Sequence, residues 1–341
     1  MGNRNNLETE QTLGELFSKK KILFISTKNL EYLRNTQEIN ILKESADVKC
    51  CAYNSSSYFI RLLKIFCWLL THSLKGFDAV FVGFAPQLIV PFFKNKFMNK
   101  LLVIDFFISF YDTLVCDRKK FPKDSFIAKR LHWLDSITIA KADCVIADTL
   151  AHGEYFCTEF NLDKRKLIVL YLEADSSIYN PLVIGNKKDS DDFTVLYFGS
   201  VLPLQGVEIV LESTQILQNE QHLNFVFVGP LNSRQKEKYS ISNNVQFFNW
   251  LSQKDLAQKI AESDLCLAGH FNAEIEKAQR TIPGKAYIYR AMQKPMILGG
   301  CAANRELYEE SDEIFYVKQG SAQALAQRIL DARKKLEAGN F

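Results

Sequence analysis

The sequence predicts an α/β protein of two domains, each built on a parallel β-sheet with helices on both faces. Three observations carry this. At 341 residues the chain exceeds the size at which one hydrophobic core usually keeps growing. Short runs that are apolar at every position recur between helical patterns, as strands covered on both faces require. A polar, aperiodic stretch near the middle divides that alternation into two similar halves. With 47% hydrophobic and 24% charged residues, the composition is that of a folded globular protein.

In the first half the strand candidates are KILFIS at 21–26, DVKCCAY at 47–53, FDAVFVGF at 77–84, KLLVIDFFI at 100–108, DCVIADT at 143–149 and KLIVLYL at 166–172, with helices between them. In the second half they are FTVLYFGS, LNFVFVGP, VQFFNWL, DLCLAG, PMILGG and EIFYV. Helices are expected from about Gly206 to Leu217, over 253–262, 284–292 and 302–310, and from Ser321 onward. The domain boundaries follow: a polar N-terminal extension at 1–18, a first domain at 19–175, a linker at 176–192 and a second domain at 193–341.

Several function classes are excluded by absent motifs. Neither half carries G-x-G-x-x-G after its first strand, so a dinucleotide oxidoreductase is not expected, and there is no Walker A lysine loop. No H-E-x-x-H or G-x-S-x-G occurs. The eight cysteines show no C-x-x-C spacing, which points to a reducing compartment, and Cys144 and Cys266 sit in apolar runs as small buried hydrophobes. The N-terminus lacks the basic and apolar regions of a secretory signal, and Asn6 stands where a myristoylation motif needs Ser or Thr. The most apolar stretch, Tyr58 to Leu70, is too short to span a bilayer. A cytoplasmic location is the expectation.

Net charge is only +3, but residues 52–130 hold 12 Lys/Arg against 5 Asp/Glu, an excess of seven. Beside the apolar helix containing Phe59, Leu62, Leu63, Phe66, Trp68 and Leu70, that excess suggests a face for anionic lipid headgroups or an anionic lipid-linked substrate; a solvated basic surface next to an ordinary core helix accounts for the same residues. No nucleic-acid partner is expected.

Two segments of the second half suit an anion. YFGS ends a strand and runs through VLPLQG into a helix, so Gly199 and Gly206 can bring backbone N–H groups to a phosphate, although glycine after a strand is commonly just a turn. In HFNAEIEKAQRTIPGKAYIYRAMQKPMILGG, Arg280 and Lys285 flank a helix start at Gly284. Arg280 can bind oxygens bidentately, and Lys285 supplies a point charge.

These residues carry a resemblance. DFFISFYDTLVCDR at 105–118, ADCVIADT at 142–149, VLYFGSVLPLQGVEIVLEST at 195–214, FVFVGP at 225–230 and RTIPGKAYIYRAMQKPMI at 280–297, in that order, resemble glycosyltransferase family 4 (glycosyl transferases group 1) over residues 20–337. These are retaining enzymes of bacterial surface-polysaccharide synthesis with the GT-B fold, two Rossmann-like parallel-sheet domains facing across a cleft. The resemblance implies a nucleotide-sugar donor, with uridine as the first choice of base, held by the second domain. A glycan or lipid-linked sugar acceptor is implied on the first. Neither a metal nor a cofactor is implied; the nucleotide sugar is a substrate. Gly199, Ser200, Gln205 and Gly206 match the phosphate loop, Arg280 and Lys285 the diphosphate cations, and Trp250 and Leu251 the segment that holds the base. Gly229, Gly284, Asn272 and Glu306 complete the donor set, the last two as substitutes for acidic residues that the family has where this chain has Arg280 and Ile288. Asp112, in the loop that faces the acceptor, is the candidate for orienting or deprotonating the acceptor hydroxyl; an ordinary loop cap is its alternative. The location expected on this reading is cytoplasmic and peripheral on the inner face of the membrane. Two other readings remain: a non-catalytic GT-B homologue serving as partner of another transferase, and a sugar-nucleotide epimerase.

Overall fold

The computed structural model describes residues 4–182, 192–239 and 244–339. The chain divides into two units, residues 1–173 and 174–341. In the first, the elements run α1 (Arg4–Phe17), β1 (Lys21–Ile25), α2 (Leu33–Ser45), β2 (Asp47–Cys51), α3 (Tyr58–Thr71), β3 (Ala79–Val82), α4 (Val90–Phe97), β4 (Leu101–Asp105), α5 (Phe126–Lys141), β5 (Cys144–Ala147), α6 (Leu150–Phe160) and β6 (Leu167–Val169). The six strands form one parallel sheet in the order β2-β1-β3-β4-β5-β6.

The apolar runs are strands because both of their faces are buried. Leu23, Ile25, Val80, Val82, Leu102 and Ile104 enter the core on one side of the sheet. Their neighbours Ile22, Phe24, Ala79, Phe81 and Val103 enter the core on the other, as the two-residue period demands. Hydroxyl caps set helix starts: Ser125 accepts from the Ala128 N–H and Thr149 from the His152 N–H.

Residues 4–17, expected as part of a polar extension, instead form α1. Its Leu13 and Phe17 are buried in the second of these cores. The Asn6 amide accepts from the Tyr171 N–H and donates to the Tyr171 carbonyl, each at 3.0 Å, which ties the helix to the segment after β6. Of the expected linker, 183–191 lie outside the described residues.

The second unit runs β7 (Phe193–Phe198), α7 (Val207–Ile216), β8 (Leu223–Val228), α8 (Ser233–Tyr239), β9 (Val245–Phe248), α9 (Gln253–Glu262), β10 (Leu265–Gly269), α10 (Lys277–Arg280), α11 (Gly284–Ala291), β11 (Met296–Gly299), α12 (Ala302–Leu307), β12 (Ile314–Val317) and α13 (Ala322–Ala338). Its sheet is again parallel, in the order β12-β11-β10-β7-β8-β9. Strand order reverses at β7, which has β8 on one side and β10 on the other. Connections from β7 and β10 therefore leave to opposite faces and open a crevice at their carboxyl ends, the place where open α/β sheets bind ligands.

Candidate functional site

The loops after β7 and β10 meet at that crevice. The Phe271 N–H donates to the Gln205 carbonyl at 3.2 Å. The Asn272 amide donates to the Pro203 carbonyl at 2.9 Å, and its oxygen accepts from the Glu274 and Ile275 N–H groups. Gly206, at φ +66°, sits so close that a Cβ there would lie 2.7 Å from the Asn272 nitrogen. The Asn272 side chain thus joins the two loops.

Beneath this junction lies Lys285, second residue of α11 and 5% exposed. Its ammonium stands 4.7 Å over the Tyr197 ring and donates to the Gln205 side-chain oxygen. A Cβ on Gly199 would lie 3.2 Å from the lysine Cε, so a side chain at this point of the loop would crowd the lysine. Among the described residues no carboxylate forms an ion pair with Lys285. Burial without a counter-charge lowers its pKa to about 7.

Two further polar groups belong to this neighbourhood. The Tyr197 hydroxyl is buried with no hydrogen-bond partner among the described residues, and a Cβ on Gly199 would be 3.4 Å from it. His270, directly after β10, is 3% exposed. Its Nδ1 also lacks a partner among the described residues. Burial, and then the charges of Lys285 and Lys277, hold the imidazole well below its ordinary pKa and so neutral. Sequence reading missed both residues: Tyr197 reads as one more strand aromatic, and His270 fits no metal or triad spacing. At the end of β11 the backbone is packed tightly, since a Cβ on Gly299 would fall 2.0 Å from the His270 carbonyl.

The remaining donor candidates are more dispersed. Gly229 follows β8, and its missing side chain lets the Gly199 carbonyl approach to 2.5 Å of where a Cβ would stand. Ser200 is exposed. Gly284 is exposed at the start of α11, whose first-turn N–H groups point along the positive end of the helix. Trp250 is 78% exposed and Leu251 half-buried, in the turn before α9 that Ser252 caps. Arg280 closes α10 and pairs with Glu276 at 3.4 Å, four residues back; Glu306 is half-buried on α12. Of the two expected cations, Lys285 is brought against Gly199 and Gln205.

In the first unit, Asp112 is fully buried, whereas the sequence placed it facing an acceptor. The reason is local. Residues Asp112–Asp117 form a π-helical turn anchored from behind: the Asp112 N–H donates to the Ser109 hydroxyl, which donates to Asp135 at 2.7 Å. This turns the Asp112 carboxylate inward, where Oδ2 is 4.0 Å from His152 Nε2. His152 Nδ1 in turn is 2.6 Å from Asp148 Oδ1. Of this carboxylate–imidazole–carboxylate row, Asp148 alone reaches the surface, its side chain 20% exposed.

Residues 192–334 match the family model described as Glycosyl transferases group 1, which bears out the resemblance read from the sequence over most of the second unit. No curated protein matches the chain in sequence. Among solved structures the chain is similar to sucrose-phosphate synthase from Thermosynechococcus elongatus, with TM-score 0.66 and 13% identity over 94% of each chain. It is also similar to Anabaena HepE in complex with UDP and glucose, with TM-score 0.62 and 15% identity over 93% of this chain and 91% of that one. A third is the catalytic domain of starch synthase IV from Arabidopsis thaliana bound to ADP and acarbose, with TM-score 0.65 and 10% identity over 94% and 92%. The fold is α/β of the GT-B type.

Proposed function

We propose that the protein is a retaining glycosyltransferase that moves a hexosyl group from a nucleoside-diphosphate sugar, with UDP the first choice, to a lipid-linked or polysaccharide acceptor of the cell envelope. The observation that carries the donor half is Lys285: a buried ammonium with no carboxylate partner among the described residues, at the crevice of an α/β sheet, packed against a glycine of the loop after β7. Such a group is costly until an anion arrives. A diphosphate is a fitting anion, because the exposed start of α11 and the loop after β7 add N–H donors. The family match over residues 192–334 and the nucleotides named with two of the similar structures support the same assignment.

As the bond between sugar and diphosphate breaks, negative charge grows on the leaving group, and Lys285 with Arg280 stabilises it more than the ground state. Trp250 offers a flat apolar surface for the base. In the first unit Asp148, backed by His152 and Asp112, is the carboxylate placed to accept a proton from an acceptor hydroxyl. Transfer on this reading needs neither a metal nor a cofactor, and the enzyme works in the cytoplasm at the inner membrane face.

Replacement tests the site. Arg280→Ala and Lys285→Ala each lose a charge-assisted hydrogen bond, about 1.5–3 kcal/mol, or roughly one to two decades in donor affinity. Unchanged affinity in both variants would remove the assignment. The second reading, a non-catalytic partner subunit, is favoured by half-buried Ile288, three residues after Lys285, where the family carries a glutamate. It predicts that the folded protein binds no donor.

A further inference from the structure

α3 is apolar on its exposed side as well as on its buried one. Of its fourteen residues, YFIRLLKIFCWLLT, only Ile65 and Leu69 are buried. Phe59, Leu63 and Leu70 are 72%, 51% and 69% exposed. Their spacings of four and seven residues put them on one stripe of the helix. Phe66 lies on the same stripe, and its ring meets that of Phe92, which is 63% exposed on α4, at 5.8 Å. The stripe therefore continues from one helix to the next as a contiguous apolar face, which a soluble protein does not keep without a use.

The surroundings of this face have one sign. Between 58 and 100 stand Arg61, Lys64, Lys75, Lys94, Lys96 and Lys100 against a single acidic residue, Asp78. Asp78 accepts from the Lys21 N–H at 2.8 Å. Lys96 is taken up by the Leu69 and His72 carbonyls. Lys64, Lys75 and Lys94 are exposed and have no carboxylate partner among the described residues.

Charge decides the occupant. Two-fold pairing with a second copy through this face would set one basic surface against another. An anionic bilayer offers the opposite sign together with an apolar interior, the combination that an in-plane helix with a basic flank requires. We propose that α3 and α4 form a docking face for an anionic lipid bilayer, in which Phe59, Leu63, Leu70 and Phe92 enter the headgroup–acyl boundary while Lys64 and Lys94 contact headgroup phosphates. α3 lies in the plane: no described helix is long and apolar enough to cross a membrane. This deepens the membrane-side location in the proposed function, but it is read without nucleotide, so its failure leaves donor binding untouched and the reverse also holds.

The experiment is co-sedimentation of the full chain with phosphatidylglycerol vesicles and with phosphatidylcholine vesicles, at low and high salt. The expected result is partition into the anionic vesicles that weakens with salt. Each lysine near the surface is worth about fivefold in partition, so Lys64→Glu with Lys94→Glu should weaken binding by well over tenfold. Phe59→Asp with Leu63→Asp should abolish it. All four positions are exposed, and an unchanged melting curve for each variant shows that the fold is kept. Three outcomes would overturn the proposal: no binding of the wild type to anionic vesicles, binding indifferent to both double variants, or a dimer that these variants dissolve in a protein that ignores vesicles.

Discussion

Donor binding should be proton-linked through Lys285. In the free protein, burial lowers this lysine from its ordinary 10.5 to about 7. A bound diphosphate supplies the missing counter-charge and keeps the ammonium protonated to higher pH. The free protein then sheds the proton as pH rises through about 7 while the complex keeps it, so affinity falls by up to about tenfold per unit above that point. Between pH 6.5 and 8.5 the protonated share of the free protein drops from about three quarters to about three per cent, a roughly 25-fold weakening. The diphosphate diester of a nucleotide sugar does not itself titrate in this range, which makes it the right ligand. Calorimetry at pH 8 in two buffers of different ionisation heat should show uptake of about 0.9 proton on binding. Lys285→Met should abolish the uptake and flatten the pH profile. The same shift acts on folding: because the folded value lies below the unfolded one, the ammonium burdens the free protein most below about pH 7, and the burden is relieved as pH rises toward 10.5. Lys285→Met should therefore stabilise the protein at pH 6 and lose that advantage by pH 10. A wild-type affinity that does not change with pH, or a pH slope retained in Lys285→Met, would refute the argument.

Other expectations concern packing and the first unit. Gly299→Ala puts a Cβ about where the His270 carbonyl stands, 2.0 Å away, and backbone must move; a loss of about 3 kcal/mol in urea unfolding is expected. Phe17→Ala empties a fully buried position under α1 and should cost about 3–5 kcal/mol, whereas a loose extension would show no change. Asp112→Asn should leave donor affinity intact and lower turnover by loosening His152 and Asp148; unaltered turnover would exclude the row from the mechanism.

How much was legible follows from which signals are local. β3 (AVFV) and β10 (LCLAG) are buried at every position, and such runs announce a parallel sheet without knowledge of their neighbours. α1 carries few apolar residues, and what fixes it is the burial of Leu13 and Phe17 together with the pairing of Asn6 with Tyr171, 165 positions away. The lysine and the glycine loop were both readable. That Lys285 reaches Gln205 across 80 positions comes from the pairing of β7 with β10 and from no local pattern. Asp112 and Asn272 show the opposite limit. Each is a polar residue in a segment the sequence singled out, but Ser109 turns the first inward and the second donates to the Pro203 carbonyl, partners that the segment itself does not announce. A side chain's direction is set by such partners, and a motif does not contain them.

The central claim is that the second unit binds the diphosphate of a nucleotide sugar. It is met most directly by calorimetric titration of the folded protein with UDP, GDP and dTDP, first without metal and then with magnesium. The account predicts micromolar binding of one of them, UDP first, with the affinity unchanged by magnesium. Absence of binding by all three, in protein with an intact melting transition, would contradict it.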